Sequence, residues 1–73
     1  MTNPENGFPA NAQAMQAIVE AMHTLTAAIA TVLTPEQQNG MALALALRAK
    51  KAEEAGDAVL ETLLIDLYRT VNP

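Results

Sequence analysis

The chain has 73 residues, a net charge of −4 and a pI near 4.6. That balance argues against a general attraction to nucleic acid or to anionic membranes. With no cysteine and a single histidine, neither a disulfide nor a structural zinc site is expected to staple a core that supplies only ~3–5 kcal/mol at this size. Half of the residues are hydrophobic, but fifteen of them are alanine and only Phe8 and Tyr68 are aromatic. Alanine favours helices and close contacts over bulky cores, so oligomerisation is the expected route to stability.

Residues 1–10 carry two prolines, a glycine and two asparagines, the composition of an irregular arm. Phe8 is expected to dock that arm on the nearest helix. The segment has neither a basic nor an apolar stretch of the signal-peptide kind. The most apolar stretches, 18–33 and 41–47, fall short of the ~20 residues of a membrane span. The expectation is a cytoplasmic chain with no membrane or nucleic-acid partner, in which residues 11–73 form one helical domain.

From a candidate N-cap at Asn11, the residues Met15, Ile18, Met22, Leu25, Ile29 and Val32 recur at alternating spacings of three and four. That is a heptad seam, and it predicts a helix over about 11–33, with Val19 and Leu33 widening the stripe. Gln13, Gln16, Glu20, His23, Thr24, Ala27 and Thr31 form the opposite, predicted solvent face.

Thr34-Pro35-Glu36-Gln37 is the most specific local signal in the chain: a capping threonine, a proline at the first helical position, and glutamine three residues after the cap. A second helix starts there. The short connection favours an antiparallel hairpin with the first helix. Gly56-Asp57 poses a choice between a helix end followed by a new cap and a continuous helix carrying a glycine at a cost of about 1 kcal/mol. The positions Met41, Ala42, Leu45, Ala49, Ala52, Gly56, Val59, Leu60, Leu63, Leu64, Leu67 and Val71 stay within one broad face across the glycine. On that phase continuity the second helix is predicted to run over about 35–71.

Such a helix overhangs the first, leaving the apolar face beyond residue 57 without an intrachain partner. The predicted fold is therefore all-α: a helical hairpin with a long second helix, assembled as a homo-oligomer, in the simplest case a dimeric four-helix bundle. Its predicted interface is Ala49, Ala52, Gly56, Val59, Leu60, Leu63, Leu64, Leu67 and Val71. Leu43 and Leu47 point away from that stripe near the hairpin tip and form a candidate surface for a protein partner.

Catalytic chemistry finds little to work with. Glu20 and His23 have the Glu-x-x-His spacing of di-iron bundles, but as a lone copy without further inward carboxylates. There is no serine or cysteine nucleophile, and Gly7, Gly40 and Gly56 are too scattered for a phosphate loop. No cofactor is expected. The sequence thus points to a non-enzymatic interaction module that binds, scaffolds or inhibits a partner protein. The alternative is a binder of an anionic metabolite or nucleotide in an inter-subunit pocket, held by Arg48, Lys50 and Lys51.

Overall fold

A computed structural model describes residues 11–73 as three helices: α1 (Ala12–Thr31), α2 (Pro35–Glu54) and α3 (Ala58–Val71). No strand occurs among the described residues. The arm over 1–10, with the docking expected of Phe8, lies outside them. No helix among the described residues is long and apolar enough to cross a membrane.

Two of the helix starts follow from their caps as read. The Asn11 side chain accepts the Ala14 amide at 2.8 Å. At α2 the reciprocal capping box is complete: the Gln37 amide donates to Thr34 Oγ1 at 3.1 Å, and the Thr34 amide donates to Gln37 Oε1 at 2.9 Å. Pro35 occupies the first turn, where its missing amide hydrogen costs nothing.

The long second helix is corrected. The chain ends α2 at Glu54 and starts α3 at Ala58, with Gly56 at φ +78° between them. The Gly56 amide donates to the Glu53 carbonyl at 3.0 Å and the Asp57 amide to the Ala52 carbonyl at 2.9 Å, the paired bonds of a Schellman ending. Asp57 Oδ1 then caps α3 by accepting the Leu60 amide at 3.1 Å. Three residues thus close one helix and open the next. The phase continuity did not report a single helix, because two helices that pack on each other each need an apolar face, broken or not.

The reversal brings α3 back along α2, and these two share the most extensive packing in the molecule. Ala49 and Ala52 are buried beneath the returning helix, where small side chains let backbones approach. At the far end Val71 meets Ala42 of α2 and Ala30 of α1, with Met41, Leu45 and Tyr68 packed around them. The hairpin is therefore made by α2 and α3, and α1 packs chiefly on α3 rather than on α2. Among the described residues one polar tie links α1 to α2: Gln38 Nε2 donates to the Ala30 carbonyl, which also accepts the Leu33 amide at 3.2 Å.

The core is thin. Its buried apolar residues are Ala30, Ala42, Ala49, Ala52, Leu67 and Val71, and no described side chain is enclosed completely. The radius of gyration is 14.5 Å, against roughly 11 Å for a compact domain of this length.

The corner yields a prediction. An added Cβ at Gly56 meets no atom within 4 Å, so substitution there is opposed by the backbone conformation and not by crowding. Gly56→Leu should cost about 1–2 kcal/mol, and Gly56→Asn distinctly less, because asparagine tolerates the left-handed region. Asp57→Ala should cost about 1 kcal/mol through the lost cap. Urea unfolding of the three variants checks the order; equal losses for Asn and Leu would point to packing instead.

Candidate interaction surface

The side of α1 that meets the rest of the chain is not its heptad seam. Thr26 and Ala30 are buried, and Val19, His23 and Leu33 are half-buried. On the seam itself Met15 is 52% exposed, Leu25 62% and Val32 80%, with Ile18 and Ile29 also exposed and only Met22 half-covered. At ~100° per residue the inward row lies about 100° round the helix from the seam. α1 is apolar on one face and buried on another.

Packing at the α1–α3 contact accounts for this choice. Ala30 lies in one cluster with Val71 and Tyr68, where a small residue brings the two helices together. The larger seam residues would hold them apart. His23 is accordingly corrected: it was placed on the solvent face, but it turns inward, and its Nε2 is enclosed with no hydrogen-bond partner among the described residues. Glu20 stays exposed. No group of three or more metal-ligating side chains occurs among the described residues, so Glu20 and His23 stand alone there.

The predicted interface residues are divided by the fold. Ala49, Ala52, Leu67 and Val71 are buried inside the chain, Leu63 and Leu64 are half-buried, and Val59 and Leu60 are exposed at the start of α3. Gly56 serves the corner and not a helix crossing. Leu43 and Leu47 are 60% and 55% exposed on α2.

The basic cluster is also divided. Arg48 and Lys51 line a shallow groove with Asp57, Leu60 and Leu64, where one carboxylate offsets part of their charge. Lys50 lines a different depression, with Glu53, Glu61 and Arg69. Among the described residues, the three cations do not line one common depression.

The seam is legible in the sequence, but most of it is exposed and not covered by a hairpin partner, and a row beside it carries a second signal. Ala14, which is half-buried, and Ala21 and Ala28, which are exposed, recur every seven residues along the flank opposite the Thr26–Ala30 side. That heptad spacing was the available signal.

No family model, curated protein or solved structure matches the chain.

His23→Leu should leave stability unchanged or raise it by up to about 1 kcal/mol, since it removes an enclosed nitrogen that lacks a partner. Glu20→Ala should stay within about 0.5 kcal/mol of the parent. A clear loss in the thermal unfolding of His23→Leu would show that the imidazole is held by a polar partner.

Proposed function

We propose that this chain is a non-enzymatic, self-associating helical module that binds, scaffolds or inhibits a partner protein. The observation that carries the reading is an inversion of burial: alanines fill most of the core, while Met15, Ile18, Leu25, Ile29, Val32, Leu43, Leu47, Val59 and Leu60 are exposed. Each such side chain, fully covered, is worth ~1.5–3 kcal/mol, a large amount beside the ~3–5 kcal/mol expected of so small a core. Single exposed leucines are ordinary on a protein surface; a continuous stripe along a helix supports an interface.

Self-association is the first element of the proposal. A dimer would contain six helices, not four, because each chain contributes three. The partner protein is the second, and Leu43 with Leu47 are its contact, one turn apart on a part of α2 that the chain itself leaves open.

Folding and association should be coupled. The thermal midpoint of the unmutated protein should rise with protein concentration, and sedimentation equilibrium should show a dimer or larger species. A folded monomer with a midpoint indifferent to dilution would overturn the self-association. For the partner surface, Leu43→Glu with Leu47→Glu should preserve helicity and oligomeric state while abolishing retention of a host protein that the unmutated chain captures; retention by the double variant would remove that surface from the proposal.

A further inference from the structure

The exposed seam of α1 has a spacing that is complementary to itself. Its residues 15, 18, 22, 25, 29 and 32 are spaced three, four, three, four, three, and this order reads the same in both directions. Laid antiparallel on a second copy of itself, the helix places Met15 beside Val32, Ile18 beside Ile29 and Met22 beside Leu25 without a change of register. We infer that two copies of the chain associate through α1 paired antiparallel about a two-fold axis between residues 23 and 24, a proposal that rests on the self-association put forward above and specifies where it occurs.

Three features of α1 agree with this arrangement. Glu20 is the helix's single acidic residue, and no Lys or Arg lies within it, so the stripe suits an apolar helix and asks for no charged partner. Neither end carries a compensating charge: the first turn has no acid and the last turn no base. Antiparallel pairing sets each N-terminus against the other helix's C-terminus, so the two macrodipoles offset one another.

The third feature is the flank. Ala14, Ala21 and Ala28 lie beside the seam on the side away from α3, where small side chains let a second helix approach closely. The other flank, Val19, Thr26 and Leu33, is the one already covered by the chain. Ala21 and Ala28 are exposed and Ala14 is half-buried, so among the described residues this is the open sector that an incoming α1 would fill.

The area is adequate. With Met15, Ile18, Leu25, Ile29 and Val32 all exposed, the stripe and its alanines offer on the order of 500 Å² per copy, or about 1,000 Å² for the pair. That reaches the lower bound for a specific interface.

Cysteine scanning tests the register in a chain that has no cysteine of its own. An equimolar mixture of Ile18→Cys and Ile29→Cys proteins should form a disulfide-linked dimer on oxidation, and each variant alone should not. Linkage of Ile18→Cys to itself, or none in the mixture, would overturn the antiparallel pairing. In parallel, sedimentation should show that Leu25→Glu weakens association about a hundredfold or more, whereas Leu43→Glu leaves it unchanged. A Leu25→Glu protein that associates as tightly as the parent would remove the seam from the interface while leaving self-association standing. An unmutated protein that is monomeric throughout would instead defeat the underlying reading. The disulfide pattern decides even where dissociation costs the variant its helicity.

Discussion

The arrangement of the whole chain depends on the reversal at residues 52–57. Two carbonyls of α2 are taken up by the amides of Gly56 and Asp57, and the Asp57 carboxylate then satisfies the first turn of α3. Because these bonds are local, they form without long-range contacts and offset part of the cost of ordering three loop residues. The consequence is long-range: α3 returns along α2, and Leu67 and Val71, which would overhang a straight helix, are buried within their own chain. Covering them occupies α2, and much of the apolar surplus is displaced from the C-terminal segment to α1, with Val59 and Leu60 still exposed at the start of α3.

That displacement explains why the helix caps could be read from the sequence and the packing could not. Asn11 and Thr34 with Gln37 act through bonds spanning three residues, so their identities suffice. Gly56 and Asp57 carried the same kind of local signal, and the competing argument from phase was weaker. It tested only whether apolar residues recur, and recurrence is required of α2 and α3 whether or not they are one helix. The seam of α1 was equally visible, but periodicity states that a face is apolar without stating what covers it. Which face of α1 turns inward was decided by size, through Ala30 beside Val71 and Tyr68, and by the Gln38 bond to the Ala30 carbonyl. Neither can be read from spacing.

An alanine-rich core has its own physical signature. Ala49 and Ala52 permit a close α2–α3 contact, but each buries little area, so the pair gains less than leucines would at the same positions. Apart from Leu67 and Val71, the larger apolar side chains of the described residues are half-covered or exposed. A structure built this way has a well-capped backbone and a weak interior, and it gains most from whatever covers its outer faces. Stability and association then draw on the same residues.

Pairing through α1 bears on how such a module would engage another protein. Leu43 and Leu47 lie on α2, outside the proposed seam, so a two-fold dimer presents them twice. A partner that is itself repeated, or that offers two similar sites, would meet both copies, and the second contact would form at the effective concentration set by the first. Weak individual contacts over two leucines become useful only under that condition. On the proposed reading, self-association would turn a small exposed patch into a binding surface, and α1 would serve to position the two copies of α2 and not to contact the partner itself.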